Sequence, residues 1–226
     1  MNDIDLVIFD MAGTTILDAG QVPEAFSTVL GAHGIEVTDE ALRAARGASK
    51  REAIRHFVER QIPGDVKEVN TRTEKIFASF REHLARKYTE SGVSSIPGAV
   101  ETFVWLRSQG IKIALNTGFD RTITTLLLEA LGWDKDTVNA MICGDDVPQG
   151  RPAPYLIFRA MESTGIISVH QVANVGDTAL DLQAGWNAGV RWNIGVLSGA
   201  HKKDHLEKAP HTHLIPSVAV LPDLWK

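Results

Sequence analysis

The feature that most constrains the fold is a short apolar run near the amino terminus that ends in an aspartate. Residues 6–9 read LVIF and are followed by Asp10, with Gly13 three residues later. A continuous apolar run of this length is typical of a strand buried on both faces, and the glycine favours a chain reversal after it. Ligands of open α/β sheets bind at the carboxyl ends of strands. Asp10 is therefore a candidate nucleophile, metal ligand or both.

Further apolar runs follow at wide intervals, and helical patterns separate them. Strands that alternate with helices predict an α/β core with a doubly wound parallel sheet. We predict strands at residues 111–115, 140–143, 172–175 and 192–196, and helices at residues 101–109, 122–131, 154–164 and 180–188. Four glycines fall where those helices should end: Gly110, Gly132, Gly165 and Gly189.

The segment between residues 18 and 95 does not alternate strands with helices, because it has helical periodicity and no convincing strand. We predict helices at residues 24–33, 39–46, 50–61 and 65–88. The chain is thus predicted to divide into an α/β core, residues 1–17 plus 96–226, and an inserted helical cap, residues 18–95. The last cap helix carries an apolar stripe that would pack the cap or form the face of a homodimer, namely Ile76, Phe77, Phe80 and Leu84.

Composition excludes several classes of protein. With 226 residues, 44% of them hydrophobic, the chain is long enough for one large globular domain or a core with a modest insertion. A net charge of −5 without a basic stripe argues against nucleic-acid binding. No leader or membrane-length apolar run is evident, so we expect a cytoplasmic protein. The single cysteine, Cys143, is expected to be a small buried side chain rather than a reactive thiol.

Three later motifs carry polar side chains after strand-like runs or at the start of a helix. Residues 116–118 read NTG, residues 150–154 read GRPAP, and residues 175–181 read VGDTALD. Together with residues 6–15, LVIFDMAGTT, they resemble the four motifs of the haloacid dehalogenase superfamily of aspartate-nucleophile hydrolases, in the same order. Each motif alone is weak, whereas four in order are specific.

The resemblance implies a Mg²⁺-dependent phosphohydrolase in which Asp10 forms an aspartyl-phosphate. It implies metal ligation by Asp10, the Ala12 carbonyl and Asp177, with Asp181 supporting the ion from one helical turn away. Mg²⁺ prefers such oxygen ligands and removes the repulsion between a carboxylate and a phosphoryl anion. The remaining implied residues are Thr117, Arg151 and Lys50 as catalytic groups, and Ala12, Gly13, Thr14, Gly118 and Lys50 as substrate contacts.

Each of these residues also has a purely structural interpretation. Asp177 precedes Thr178 and could simply cap the following helix. Thr117 could be an ordinary turn residue, and Arg151 could lie in a solvated loop. The four motifs together favour the functional interpretation.

Ala12 narrows the range of reactions that such a site would catalyse. Phosphomonoesterases of this superfamily generally carry an aspartate at this position, which protonates the leaving alkoxide, and such acid assistance contributes ~100- to 10,000-fold to the rate. The branch that shares the pattern DxAGTT is the phosphonatase family, which cleaves a carbon–phosphorus bond. In that family a cap lysine forms a Schiff base with the substrate, so that the leaving group is an enamine. Residues 145–152, DDVPQGRP, and 185–189, GWNAG, also resemble that branch.

Lys50 is the candidate for the Schiff-base lysine. Residues 46–50 read RGASK, and the lysine follows Gly47 at the phosphonatase spacing. The reaction needs a neutral amine and hence a lowered pKa. The phosphonatase family, however, has a methionine where this chain has Arg46 and a histidine where it has Ala53. Lys50 could instead bind a second charged group of the substrate, or be a solvated helix residue.

Three other functions stay open at this point. One is a phosphomonoesterase, for example one acting on phosphoglycolate. Another is a non-catalytic binding protein, although such a protein would not need the nucleophile. A dehalogenase is a third, against which Asp177 and Asp181 weigh, because that reaction needs no metal.

Histidine and tryptophan residues outside the motifs are expected to be structural. A group of histidines near the carboxyl terminus lacks a clear third ligand, so we expect a solvated surface there, formed by His201, His205, His211 and His213. Trp186 and Trp192 are expected to pack in the core.

Overall fold

The structure, a computed structural model, describes residues 4–61 and 64–225. Within these residues it contains a sheet of six parallel strands in the order β3-β2-β1-β4-β5-β6, which confirms the predicted α/β fold. The strands are β1 (Leu6–Asp10), β2 (Lys112–Asn116), β3 (Ala140–Ile142), β4 (Val172–Gly176), β5 (Trp192–Val196) and β6 (His213–Ile215). Strand β6 was not predicted, because its apolar run consists of only Leu214 and Ile215.

Helices connect the strands close to the predicted positions. They are α1 (Gln21–Ala32), α2 (Asp39–Ala44), α3 (Lys50–Gln61), α4 (Val66–Ser91), α5 (Ala99–Ser108), α6 (Arg121–Leu131), α7 (Tyr155–Thr164), α8 (Ala179–Ala188) and the short α9 (Lys203–Leu206). Two 3₁₀ helices span Val169–Gln171 and Val218–Leu224. Gly132, Gly165 and Gly189 end α6, α7 and α8 in the left-handed conformation, as predicted, whereas Gly110 lies two residues beyond Ser108, the last residue of α5.

Strand register brings the predicted motifs to one edge of the sheet. Asp10 pairs with Asn116 on β2, and Phe9 pairs with Val175 on β4. Because all three strands run in the same direction, the residues that follow them emerge side by side at the carboxyl edge. This register places Thr117 and Asp177 near Asp10.

Helices α1 to α4 all lie in the segment predicted to form the cap. Helix α4 packs against α1 and α3, and the Phe26 ring lies 4.5 Å from the Phe80 ring between centroids. Ile76, Phe80 and Leu84 are buried within the chain, while Phe77 is half-buried. One hydrophobic cluster runs from these helices into the sheet. The division into a core and a cap stays a prediction, and residues 1–3, 62–63 and 226 of its ranges lie outside the described residues.

Other expectations about the core have mixed outcomes. Cys143 is buried, as expected. The prediction for Trp186 is wrong: its side chain on α8 is 67% exposed. Trp192 is half-buried and stacks on His213 at 4.8 Å between ring centroids. None of the described helices combines the length and apolar character needed to cross a bilayer.

Candidate active site

Asp10 lies at the carboxyl end of β1, buried and followed by a tight turn. Thr14 and Thr15 donate their backbone N–H groups to the Met11 carbonyl at 3.1 and 2.8 Å. Gly13 has a φ of +92°, and a Cβ at this position would lie 2.5 Å from Oδ2 of Asp177. The turn therefore needs glycine both for its backbone conformation and for the close approach to Asp177.

Arg151 joins the loop before α7 to the ends of β1 and β2. Its Nη1 lies 2.8 Å from Oδ1 of Asp10, and its Nε lies 2.9 Å from Oδ1 of Asp181. Nη2 donates to the Asn116 carbonyl at 3.1 Å. Burial opposes the charge on this guanidinium, but Asp181 and Asp10 more than compensate, so the pKa of Arg151 is raised. The predicted solvated-loop alternative for Arg151 is wrong.

Asp177 and Asp181 follow β4 and have different partners. Oδ1 of Asp177 accepts from the Thr14 hydroxyl at 3.2 Å, and Oδ2 accepts from the Ala200 N–H at 2.6 Å. Asp181 accepts from the Thr178 N–H at 3.0 Å and donates its own N–H to the Thr178 hydroxyl, forming a capping box. Thr178, not Asp177, therefore caps α8, so the helix-cap interpretation of Asp177 is wrong.

Negative charge exceeds positive charge around these carboxylates. Ligand oxygens of Asp10, Asp177 and Asp181 lie within 4.8 Å of one another, and all three residues are buried. Burial raises the pKa of Asp10 to about 6, against the opposing effect of Arg151. Burial, followed by the charges of Asp10 and Asp181, raises the pKa of Asp177 well above its ordinary value. The arrangement has the donor atoms and the uncompensated charge that suit a hard divalent cation.

Thr117 and Gly118 directly follow β2, and Gly118 contacts the amino end of α3. Thr117 is buried, and its hydroxyl accepts from the Phe119 N–H at 3.1 Å. Gly118 accepts the Lys50 N–H through its carbonyl at 3.0 Å. A Cβ on Gly118 would lie only 2.2 Å from the Ala48 carbonyl oxygen, so no side chain fits here.

Lys50 is buried where α3 begins, so the solvated interpretation of this lysine is wrong. Its Nζ donates to the Ala48 carbonyl at 3.2 Å and lies 5.0 Å from the centre of the Phe119 ring. Burial lowers the pKa of Lys50; Asp10 opposes this effect and Arg151 adds to it. A larger fraction of neutral amine follows than for an exposed lysine.

A cleft of about 560 Å³, including its open mouth, brings most of the predicted residues together. The predicted residues that line it are Asp10, Ala12, Lys50, Thr117, Gly118, Arg151 and Asp177. Gly13, Thr14 and Asp181 are not among its lining residues, and they support Asp177 or Arg151 from behind. Lining residues that the sequence analysis did not assign to the site include Asp18, Arg46, Phe119 and Ala200.

The loop after β5 is the main element that the sequence analysis missed. Ala200 donates to Asp177, and a Cβ on Gly199 would lie 2.1 Å from the same carboxylate. The prediction of a solvated His201 is wrong: this side chain is buried, and its Nδ1 accepts from the Ala179 N–H at 3.0 Å. Its Nε2 lies 3.3 Å from the Arg43 carbonyl. The position of the loop after a strand was a usable signal, since strand ends carry sites.

A second group of possible ligand atoms comprises Cys143, Asp145 and Asp146. Asp146 accepts from the Cys143 N–H at 2.8 Å and pairs with Arg121, and Asp145 accepts from the Arg121 N–H at 3.1 Å. Burial raises the pKa of Cys143 to about 11, so the thiol is protonated at neutral pH. These partners give the group a structural role at the start of α6.

Comparison with known proteins agrees with this geometry. The haloacid dehalogenase-like hydrolase family model matches residues 4–189. The chain is 33% identical over 220 residues to a phosphonoacetaldehyde hydrolase of Parabacteroides distasonis, covering 89% of this chain and 79% of that protein. It is 31% identical over 223 residues to one of Bacillus cytotoxicus, covering 91% and 80%.

A solved structure shares the fold. The crystal structure of a phosphonoacetaldehyde hydrolase-like protein from Oleispira antarctica superposes with a TM-score of 0.84, covering 99% of this chain and 91% of that one. The two sequences are 24% identical, so this likeness is informative about the fold alone.

Proposed function

Because the chain belongs to the haloacid dehalogenase-like hydrolase family, we propose that it is a phosphonatase-like, Mg²⁺-dependent hydrolase that takes a phosphoryl group from a small phosphonate or phosphate. The observation that carries this proposal is the cluster of Asp10, Asp177 and Asp181 beside Arg151 at the carboxyl edge of the sheet.

The residues fit Mg²⁺. Asp10 and Asp177 supply carboxylates and Ala12 supplies its carbonyl, while Asp181 acts from behind through Arg151 and Thr178. Asp177 supports this assignment most strongly, because it is fully buried and, among the described residues, has no cation in direct contact. The ion would supply charge neutralisation between Asp10 and an anionic phosphoryl group.

Asp10 is the nucleophile in this proposal. A carboxylate oxygen of Asp10 attacks phosphorus, the bond from phosphorus to the leaving atom breaks, and its electron pair leaves with that atom. Water then attacks the aspartyl-phosphate, which releases phosphate and restores the carboxylate. Arg151 and Thr117 donate to phosphoryl oxygens, and Arg151 holds Asp10 in position at 2.8 Å.

Lys50 decides which bond breaks. Its burial and lowered pKa support a neutral amine that can condense with a carbonyl group of the substrate, with loss of water. The resulting iminium group accepts the electron pair of the carbon–phosphorus bond, and the product is an enamine that water hydrolyses back to the free lysine. An enamine leaving group does not need to be protonated by an acidic side chain at position 12, where this chain has Ala12.

A phosphomonoesterase is the second candidate. The observation that favours it is Ala53, which is buried in the cap helices where the phosphonatase family has a histidine. Nothing in the Ala53 side chain can transfer a proton during imine formation. Lys50 would then bind a charged substrate group.

Phosphate release tests these alternatives. We would incubate the protein and Lys50→Arg with Mg²⁺ and either phosphonoacetaldehyde or a panel of small phosphate esters, and treat the aldehyde reaction with borohydride. Turnover of the aldehyde that Lys50→Arg abolishes, with borohydride trapping, is the expected result. Turnover of esters only, with Lys50→Arg partly active, would identify a phosphomonoesterase. No release from any compound would favour a binding protein, and Asp10→Asn is the inactive control.

A further inference from the structure

Arg46 is a half-buried cation in the cleft wall, and its guanidinium makes no ion pair with the described residues. Three cationic side chains line the cleft: Arg46, Lys50 and Arg151. Arg151 pairs with two carboxylates, and Lys50 donates to a carbonyl and lies over an aromatic ring. The Nε of Arg46 is buried and has no hydrogen-bond partner among residues 4–61 and 64–225. No ion pair in the same part of the chain includes its guanidinium.

A buried donor without an acceptor is expensive. Leaving one unpaired costs the free energy of removing it from water, and the cost is higher when the group is charged. Asp18, the carboxylate that lines the cleft on the cap side, accepts instead from the Gly20 N–H at 3.0 Å and does not pair with Arg46. The acceptor for Arg46 is therefore expected to come from a ligand.

The surroundings of Arg46 indicate the chemistry of that ligand. Leu42, Ala45 and Phe26 line the same cleft, and these apolar side chains strengthen charge interactions by excluding water. A guanidinium presents a planar pair of donors that matches the two oxygens of a carboxylate. A phosphoryl group can also accept two bonds from such a fork, but it would carry a further charged oxygen among these apolar side chains, so a carboxylate suits this wall better.

We propose that Arg46 is a specificity-determining residue that binds a carboxylate at the end of the substrate remote from its phosphoryl group. The substrate class is then phosphonates or phosphate esters of short carboxylic acids. This inference rests on the proposed function for the position of the phosphoryl group at Asp10. Lys50, already engaged by Ala48 and Phe119 and subject to the charge of Asp10, has a separate role.

Binding of paired ligands tests the inference without requiring turnover. Calorimetry with Mg²⁺ would compare phosphonoacetate with ethylphosphonate, and 3-phosphonopropionate with propylphosphonate, since each pair differs in a carboxylate against a methyl group. We expect at least one acid to bind at least 10-fold more tightly than its partner. Arg46→Met, which installs the residue of the phosphonatase family, should remove that preference and change alkylphosphonate binding less than twofold.

Matched variants keep the test specific. Arg43→Met removes an exposed arginine three residues away and should leave the preference unchanged. Arg46→Lys keeps the charge without the fork and should retain part of it. Thermal unfolding of each variant checks that the fold is intact.

Equal preference in the native protein and Arg46→Met, or no preference in the native protein, would overturn the inference. Tighter binding of methylenediphosphonate than of either acid would replace the carboxylate with a second phosphoryl group. If an Arg46-dependent preference appears while no compound releases phosphate, the proposed hydrolase activity fails and the binding inference stands.

Discussion

At the scale of single residues, burial and charge are in conflict at Asp10. Its carboxylate is nearly inaccessible to water and contacts Arg151, yet that arginine is shared with Asp181. Burial outweighs the pairing and raises its pKa from 3.8 to about 6. The folded protein therefore holds a proton on Asp10 in a pH range where the unfolded chain has released it.

This shift predicts the stability of Asp10→Asn in metal-free protein. Because the folded pKa lies above the unfolded value, the free energy of unfolding falls as the pH rises from about 4 to about 6. Asparagine cannot ionise, so Asp10→Asn should be more stable at pH 7 by about 3 kcal/mol. Urea unfolding between pH 4 and pH 7 measures the difference. The exposed Asp136→Asn is the control, and a less stable Asp10→Asn at pH 7 would mean that pairing with Arg151 dominates.

Ala12 gives a second prediction at this scale. Its side chain lines the cleft and has no proton to donate. Ala12→Asp should restore acid assistance to an alkoxide leaving group and raise kcat for small phosphate esters by ~100-fold, the lower end of what such assistance contributes. Steady-state kinetics beside Ala12→Asn, which matches the size without the acid, measures this effect. Equal rates for the two variants would contradict it.

At the scale of elements, close backbone contacts determine how α3 meets the sheet. Gly118, after β2, accepts the Lys50 N–H, and Arg151 donates to the Gly47 carbonyl at 3.2 Å. Glu52, in the first turn of α3, accepts the Gly150 N–H at 2.8 Å. These contacts fix the start of α3, and with it Lys50, relative to Asp10.

Gly118→Ala should move the start of α3 away from the loop after β2. The added methyl group would meet the Ala48 carbonyl at 2.2 Å, so the loop before α3 must move. Displacement of catalytic groups by about 1 Å can cost ~100-fold, and we expect a loss of that order in kcat/KM with the fold retained. Gly31→Ala in α1, where no atom lies within 4 Å, is the matched control and should keep full activity. Full activity of Gly118→Ala would show that this contact does not position Lys50.

At the scale of the whole molecule, the proposed cap is joined to the core in two ways. Polar contacts join the start of α3 to the loop before α7, and one hydrophobic cluster, which reaches the cleft at Phe26, Leu42 and Phe119, continues from α1 to α4 into the sheet. Polar contacts can open at small cost, because water replaces each partner. Opening is therefore expected at the cleft, where a substrate must enter.

Hydrogen exchange tests this expectation. Mg²⁺ with inorganic phosphate should slow exchange of the Lys50 and Gly150 amides, which bond across the boundary, by at least about tenfold. Amides within β2 serve as the reference and should not change. Equal exchange with and without the ligands would argue that residues 18–95 do not move as a cap.

The sequence by itself determined the α/β sheet and most of the site. Apolar runs bounded by glycine and acidic residues mark strands and turns, and residues at strand ends meet because all the strands are parallel. The positions of Asp10, Thr117 and Asp177 follow from that local pattern and from the order of the motifs.

Only the tertiary structure decided how charge is shared and which side chains lack a partner. Arg151 pairs with Asp10 and Asp181, His201 is buried against α8, and the Nε of Arg46 in the cleft wall has no hydrogen-bond partner in the part of the chain that the structure describes. These facts depend on contacts between segments far apart in the chain. The burial of a charged group and the charges that compensate it depend on its neighbours in three dimensions. The periodicity of the sequence carries no information about those neighbours.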